Sequence, residues 1–333
     1  MKNNNYSLYD IGWSILFYSI CSNLMTLTNK ISIKALYAPF FLTWIQFVFV
    51  IFFLLFVFFI LNCHIIFKKN PLKNLTLSPN PSIKHVSLWS IVSVLFSSML
   101  ITSFYSLRYV NVSTVVVFNS IRILFSAILE RMIIGFDFDK NIIVCMIGIL
   151  MGSFIYSVHD ISFSMIGYGF CFCNMLIAIF EKIIQKYLMS TYQIPFSNID
   201  MIFYNNLIGI FFILPFLFIF REHIRLQQRW KEIKTYEWIF ILFSMIMGLL
   251  ISYGGFHLQR RISATTFLII NNCNKCFLIF VTYLILKEQL NIFMVIGFLF
   301  SLLSSIGYGY YKLKLNQNKN NVNHYIRIIL EEK

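Results

Sequence analysis

The sequence predicts an all-α polytopic membrane protein in which ten transmembrane helices form a 5+5 inverted repeat, and three observations carry that prediction. Of 333 residues, 59% are hydrophobic and only 12% charged, with a mean hydropathy of +0.75, whereas a soluble domain averages about 25% charged residues. Too little polar surface remains to cover a water-soluble globule, which excludes a soluble enzyme or a nucleic-acid binder. Apolar runs of about the 20 residues that cross a bilayer recur along the whole chain. Val112-Ser113 aligns with Ile262-Ser263 at an offset of 150 residues, and Met146-Ile147-Gly148 with Val295-Ile296-Gly297 at 149. That offset equals five spans, and because five is odd the second copy enters the membrane in the opposite direction.

Runs bounded by charged or turn residues place the spans at about 10–29, 39–61, 86–107, 112–134, 141–158, 164–187, 200–220, 236–257, 263–286 and 291–311. The first, beginning near Ile11, follows Lys2 and a polar Asn run and lacks a small-residue cleavage site, so it reads as a retained helix and not as a signal peptide. Residues 62–85, with Lys68, Lys69, Pro71, Lys73, Pro79 and Pro81, separate the second span from the third. The fourth carries Arg122 and is followed by a short loop containing Asp137-Phe138-Asp139. Residues 221–235, with Arg221, Arg225, Arg229, Lys231 and Lys234, form the other sizeable connection. The ninth span carries Lys275, and a tail, 312–333, follows the tenth. No soluble domain fits between these elements, so residues 1–333 form one transmembrane domain with repeat halves at about 10–158 and 164–311.

Cytoplasmic segments retain Lys and Arg, which orients the chain. With both termini cytoplasmic, the inner segments hold 16 cations: Lys2, Lys68, Lys69, Lys73, Lys84, Arg131, Lys140, Lys182, Lys186, Arg260, Arg261, Lys312, Lys314, Lys319, Arg327 and Lys333. The opposite side holds nine, five of them in 221–235, a segment that opposes the rule. The sequons at Asn5 and Asn74 are then cytoplasmic and unmodified, and Asn111 lies too near the membrane. The seven cysteines sit mostly inside apolar runs, whereas a disulfide framework would cluster them in loops, so they are expected to be free thiols. Cys273-Asn274-Lys275-Cys276 is formally a C-x-x-C, but it lies in mid-span without a second pair. The six histidines have no metal-ligand spacing.

Of the 27 cations, 25 lie at loops, tails or span ends, and two, Arg122 and Lys275, fall well inside spans. Each costs ~2.5–3.5 kcal/mol at a helix centre, so together about 5–7 kcal/mol. They occupy corresponding places in the two repeats, and the carboxylates Glu130, Glu181 and Asp200 lie towards span ends, so an anionic ligand would supply the missing negative charge. Amides surround them. Asn119, Arg122 and Ser126 recur at i, i+3, i+7, and Asn271, Asn274 and Lys275 at i, i+3, i+4, so each helix presents a polar stripe. Asn23, Asn174, Asn205 and Asn206 add amides in other spans. An amide offers a donor and an acceptor together, which suits a nucleobase edge or sugar hydroxyls; the alternative for each is an interhelical hydrogen bond worth about a kcal/mol or less.

Further residues resemble a known family. Asn29-Lys30, Pro39, Leu42-Thr43-Trp44-Ile45-Gln46, Leu107-Arg108-Tyr109-Val110-Asn111-Val112-Ser113, Gly167-Tyr168 with Asn174, Ala178 and Lys182, and Ser263-Ala264-Thr265-Thr266 with the Gly-Tyr close of the last span together resemble the nucleotide-sugar transporters of the drug/metabolite transporter superfamily. Phe203-Tyr204-Asn205-Asn206 is similar to the F-Y-N-N motif of the GDP-mannose and GDP-fucose branch, in which that motif reads guanine. The same branch carries G-A-L-N-K on the ninth span. Here that position reads Asn271-Asn272-Cys273-Asn274-Lys275, so only Asn274 and Lys275 carry over.

The resemblance implies an antiporter that exchanges a cytosolic GDP-sugar for lumenal GMP across a Golgi membrane, with endoplasmic reticulum as the alternative and without a metal or covalent cofactor. By resemblance its expected binding residues are Tyr204, Asn205 and Asn206 for the base and Asn274 and Lys275 for ribose and phosphate; the charge and amide pattern of the sequence, not the resemblance, adds Arg122 for phosphate and Asn271, Asn119 and Asn23 for further polar contacts. Its partners are the GDP-sugar, GMP and the lipid bilayer, with a homodimer left open. A UDP-sugar transporter of the same family is one alternative. A plastid-type phosphate translocator is another, although its relatives place a Lys-Arg pair where Lys275-Cys276 stands. A polytopic glycosyltransferase using the D-x-D at Asp137 and Asp139 is the rival from a different class. The sugar carried is not fixed by the sequence.

Overall fold

The structure, a computed structural model, describes residues 8–65, 82–110, 112–135, 139–157, 164–274 and 292–331. Its secondary structure there is helical: α1 (Leu8–Leu36), α2 (Pro39–Ile65), α3 (Ile83–Tyr109), α4 (Val112–Ile134), α5 (Lys140–Ser157), α6 (Met165–Ser190), α7 (Asn198–Ile219), α8 (Glu222–Arg229), α9 (Thr235–Arg261), α10 (264–274) and α11 (Ile292–Glu331). A helix satisfies every interior backbone group within its own segment, which a hydrocarbon environment demands. Among the described residues six helices are long and apolar enough to cross a membrane: Tyr9–Leu36, Pro39–Ile60, Ile83–Ser106, Met165–Ser190, Asn198–Ile219 and Thr235–Arg261. The apolar stretch of α5, Lys140–Ile155, is shorter. The second half of the expected ninth span lies outside the described residues.

Two elements depart from the expected layout. Residues 221–235, read as a loop, contain α8, whose Glu222 and Leu226 face inward at i, i+4 while Arg225 stays exposed and Arg229 is half-buried. The last helix does not end near residue 311 but runs to Glu331, because no glycine or proline follows Gly309 to stop it.

Contacts divide the chain into two units, Met1–Tyr109 with Met165–Phe267, and Val110–Ser164 with Leu268–Lys333. In the first, α1 packs along α9, α3 along α6 and α7, and α2 along α7 and α9. Polar ties cross these contacts: Gln46 Nε2 donates to Asn29 Oδ1 (2.9 Å) and Ser244 Oγ (3.1 Å), and Asn174 Nδ2 to Met99 O (2.7 Å) and Thr102 Oγ1 (2.9 Å). α8 seals one corner of this unit. Its Leu226 joins Leu36, Ala38, Leu42, Ile241 and Met245 in an apolar cluster. The buried Glu222 carboxylate accepts from the backbone N–H of Phe41 (2.9 Å) and from that of Phe40, two of the amides that the start of α2 leaves without an intrahelical acceptor. The Arg229 guanidinium lies 4.3 Å from the centroid of the Tyr37 ring, in the turn between α1 and α2.

In the second unit α5 lies against α11 and α4, around Ile123, Ile142, Met146, Ile149, Leu268 and Tyr308. The α5–α11 approach is close because Gly152 has no side chain: a Cβ there would stand 2.7 Å from the Ser301 backbone nitrogen and 2.8 Å from the Gly297 oxygen. Small residues of this kind let membrane helices gain van der Waals contact where no hydrophobic force separates lipid from protein.

Gly152→Ala is expected to destabilise by about 1–3 kcal/mol through overpacking against backbone atoms that have no rotamer to yield. Gly169→Ala, with open space around it, should instead stabilise by ~0.5–1 kcal/mol. Opposite shifts in Tm of the purified protein check the pair. Burial raises the pKa of Glu222 above the usual carboxylate range, against the lowering effect of its two backbone donors and Arg225. A raised folded-state pKa makes its contribution to stability largest in acid, with the contribution lost as pH rises through the folded value. Glu222→Gln, which keeps an acceptor for Phe41, should flatten the gain in Tm that the wild type shows on acidification through this window.

Candidate functional site

The first group of candidate residues is built on the start of α7. Ser197 and Asp200 form a capping box, with Asp200 N donating to Ser197 Oγ (3.1 Å) and Ser197 N to Asp200 Oδ2 (2.8 Å). The box fixes where the helix begins and so places Phe203-Tyr204-Asn205-Asn206 on its second turn. The Tyr204 ring stacks on Phe196, with centroids 5.3 Å apart, and meets Phe203 edge-on at 5.5 Å. Phe196 is backed by Trp89 and by Arg260, whose guanidinium donates to the Phe196 carbonyl. The two amides are buried, yet they differ. Asn206 Nδ2 donates to Ile202 O one turn back (2.7 Å). Asn205 is 6% exposed, and its Oδ1 is buried without a hydrogen-bond partner. A buried, unserved amide oxygen costs about 1–3 kcal/mol, which a ligand donor would recover. Asn23, also in this unit, is half-buried on α1.

The second group lies in the other unit, on α4 and α10. Asn119 and Arg122 are each 4% exposed, and Asn274 is 6% exposed; Asn271 is half-buried. Asn272 Nδ2 donates to Ser120 Oγ (3.3 Å), Ser120 in turn bonds Ser153, and Ser153 Oγ donates to Ile149 O (2.9 Å). This chain fastens α10 to α4 and α4 to α5. Because Asn272 lies between Asn271 and Asn274, and Ser120 beside Asn119, it holds the candidate residues of both helices at one level. Asn119 Nδ2, Asn274 Nδ2 and Asn272 Oδ1 are buried without a hydrogen-bond partner. Lys275 lies outside the described residues, as do Asn74, Asn111, Asp137 and Cys276.

Three readings of the sequence resolve at the level of single residues. Asn174, offered as a possible ligand contact, is spent on α3. Asp139 sits at the start of α5, where its Oδ1 accepts from Lys140 N (2.7 Å) and its carbonyl from Ile142 N and Ile143 N, so it has a capping role. Cys21, Cys145, Cys171, Cys173 and Cys273 are free. Among the described residues no three His, Cys, Asp or Glu side chains converge to hold a metal.

One polar cluster escaped the sequence reading. Lys186 counts there only as an orienting charge, and Lys182 as an orienting charge and a residue of the family resemblance, but α6 carries both into the interior of the first unit. Lys182 Nζ lies 3.0 Å from Glu181 Oε2 and from Gln185 Oε1, and 4.9 Å from the centroid of the Phe267 ring. Lys186 Nζ donates to the carbonyls of Gln259 (2.9 Å) and Arg260 (3.2 Å), closing the C-terminal end of α9, and Gln259 Nε2 returns a bond to Lys182 O (3.0 Å). The signal was the spacing of Glu181, Lys182, Gln185 and Lys186, two polar pairs one turn apart in a largely apolar helix.

Removing the acceptor of Asn272 tests the α10–α4 fastening. Ser120→Ala is expected to cost about 1–3 kcal/mol, the penalty of a stranded buried donor. In a double-mutant cycle with Asn272→Leu, thermal unfolding should show the two losses to be strongly non-additive.

Comparison with known proteins follows the same lines as the geometry. The family model of the Triose-phosphate Transporter family matches residues 9–309. The chain is 24% identical to GDP-fucose transporter 1 of Arabidopsis thaliana over 304 residues, covering 88% of this chain and 84% of that protein. It is 25% identical to the GDP-mannose transporter GONST1 of Arabidopsis thaliana over 199 residues, 58% of this chain and 60% of the relative. UDP-galactose transporter 1 of Arabidopsis thaliana matches at 24% over 234 residues, 68% of this chain and 67% of the relative. A solved crystal structure shares the fold with a TM-score of 0.66 at 10% identity, covering 91% of this chain and 98% of its own.

Proposed function

From the premise that this chain belongs to the Triose-phosphate Transporter family, and is therefore a transporter and not an enzyme, we propose that it exchanges a cytosolic GDP-sugar, GDP-mannose or GDP-fucose, for GMP. The observation that carries this reading is the Phe203-Tyr204-Asn205-Asn206 turn, oriented by the α7 capping box and the Phe196 stack, with the Asn205 oxygen buried and unpartnered. Guanine presents N–H donors on its Watson–Crick edge, which suit that acceptor. Arg122, with Asn274 and Lys275, takes the phosphates, and Asn119, Asn271 and Asn23 take ribose or sugar hydroxyls. A diphosphate diester carries about two negative charges and a monophosphate ~1.5–2, by analogy with phosphorylated side chains. Two cations therefore balance either ligand, and exchange moves little net charge.

The ten-span, 5+5 arrangement belongs to the same proposal. Its support is the repeat offset together with the α5–α11 contact, in which Gly152 meets Ser301, 149 residues on. Each contact unit takes helices from both repeat halves, and relative motion of two such bodies would give alternating access. Both termini face the cytosol, and the membrane is that of the Golgi apparatus.

The family's description names triose phosphate, so a phosphate translocator is the reading to be separated from this one. The Asn205-Asn206 pair and the single cation of Lys275-Cys276 favour a nucleotide. Protein reconstituted into liposomes preloaded with GMP should take up GDP-sugars faster than UDP-sugars and ignore 3-phosphoglycerate and inorganic phosphate. Arg122→Gln should lower uptake about 10- to 100-fold, as expected for a charge-assisted hydrogen bond of ~1.5–3 kcal/mol, and Asn205→Leu should erode the preference for GDP over UDP. Equal uptake of both nucleotides would overturn the base assignment, and competition by 3-phosphoglycerate would install the phosphate translocator in its place.

A further inference from the structure

The five cations at 221–235 have no part in the transport reading, and they oppose the charge rule that orients the rest of the chain. Their surroundings give them a role. A cleft of about 540 Å³ opens beside α8, between the N-terminal end of α2 and the C-terminal end of α7, within the ~300–1,000 Å³ typical of small-molecule sites. Its floor and walls are apolar: Phe41, Trp44, Leu214, Leu217, Phe218 and Leu226. Its rim is not. Lys231, His223 and Gln227 line it, and all three are exposed. Trp230 stands at the same edge, half exposed, the position at which Trp concentrates in membrane proteins, level with the headgroups. The Trp44 Nε1 donor is buried without a hydrogen-bond partner.

α8 itself has the pattern of a helix that lies in the interface. Leu226 and Glu222 face inward, while Ile224, Arg225, Gln227 and Gln228 are exposed, and such helices bury one face and present cations to anionic lipid. Phe211, Phe218 and Ile219 of the adjoining α7 are exposed as well, which continues the apolar surface from the cleft along a spanning helix. Arg221, Arg225, Arg229, Lys231 and Lys234 stand against Glu222 and Glu232. Glu222 is buried against α2, and Glu232 is paired with Arg229 at 3.0 Å. Lys231 is the cation that lines the cleft, so the rim carries positive charge at that point.

We propose that this cleft is a binding site for an anionic glycerophospholipid. One acyl chain lies between Trp44, Leu214, Leu217 and Phe218, and the headgroup phosphate sits at Lys231 and His223. The site gives Lys231 a use on the side where the charge rule disfavours cations. It is independent of which solute the protein carries.

Native mass spectrometry of the purified full-length protein, exchanged into mixed micelles holding equal phosphatidylglycerol and phosphatidylcholine of matched chains, tests the assignment. The wild type is expected to retain phosphatidylglycerol preferentially, by about fivefold for each cation that engages the headgroup. Lys231→Gln/His223→Gln should bring the two lipids to parity. Leu214→Trp, which fills the cleft from a half-buried position, should remove both adducts while Tm stays within a few degrees of wild type. Equal retention of the two lipids by the wild type would overturn the headgroup assignment. A phosphatidylglycerol preference that survives both variants would place the lipid elsewhere and overturn the site.

Discussion

A polar group that enters a bilayer must find its hydrogen-bond partner inside the protein, and most of this structure follows from that constraint. It forces the backbone into helices. It also sets the behaviour of the many hydroxyls in the apolar helices, which turn back to the carbonyl one turn earlier: Thr28 to Leu24, Thr43 to Pro39, Ser97 to Ser93, Thr102 to Ser98, Ser153 to Ile149 and Ser305 to Ser301. A hydroxyl satisfied within its own helix makes no demand on its neighbours. Amides have a donor and an acceptor to place, and one carbonyl cannot serve both. Some amides tie helices together, such as Gln46 and Asn174, some keep a buried unserved atom, such as Asn119, Asn205 and Asn274, and Asn272 and Gln259 do both.

Helix ends pose the same problem in concentrated form, because the first N–H groups and last C=O groups have no partner in their own helix. Besides Asp139 at the start of α5, three devices answer it here. Ser197 and Asp200 cap α7, the Glu222 carboxylate caps α2 from another helix, and Lys186 closes α9 at its carbonyl end. Each places a charged or polar side chain of one element on the backbone terminus of its own or another. Each therefore fixes position as well as energy. The motif at 203–206 inherits its orientation from the first of these devices, and the lipid cleft beside α8 owes its wall to the second.

Much of this was legible in the sequence, for identifiable reasons. Apolar runs of bilayer length mark spans whatever they pack against, so the boundaries of α2, α4, α5 and α7 fall within a few residues of those read from the sequence. The Asn205-Asn206 pair stood out as two amides in a Phe-rich run. What was not legible depended on partners far along the chain. The inward face of α8 becomes visible only when Phe41 is known to lie against Glu222, 181 residues away. Lys182 and Lys186 looked like ordinary charges near a span end until α9 was laid beside α6. Asn174 and Asn205 are the same residue type in similar surroundings, yet α3 supplies a carbonyl and a hydroxyl to the first and nothing serves the oxygen of the second.

The sequence by itself determined that the chain is helical, membrane-embedded and sparing with charge, because hydropathy, span length and the cost of a buried cation are local quantities that need no partner to be evaluated. It also determined which side chains were too polar for their surroundings. The tertiary structure decided which of those were satisfied and which were left with an unserved atom, and it joined Asn272 to Ser120 and Glu222 to the start of α2. Those outcomes are pairings between residues far apart in the chain, 75 positions for Asn174 with Met99, 152 for Asn272 with Ser120 and 181 for Phe41 with Glu222, and a hydrogen bond of about 3 Å is set by how helices pack, which no local property of either partner encodes.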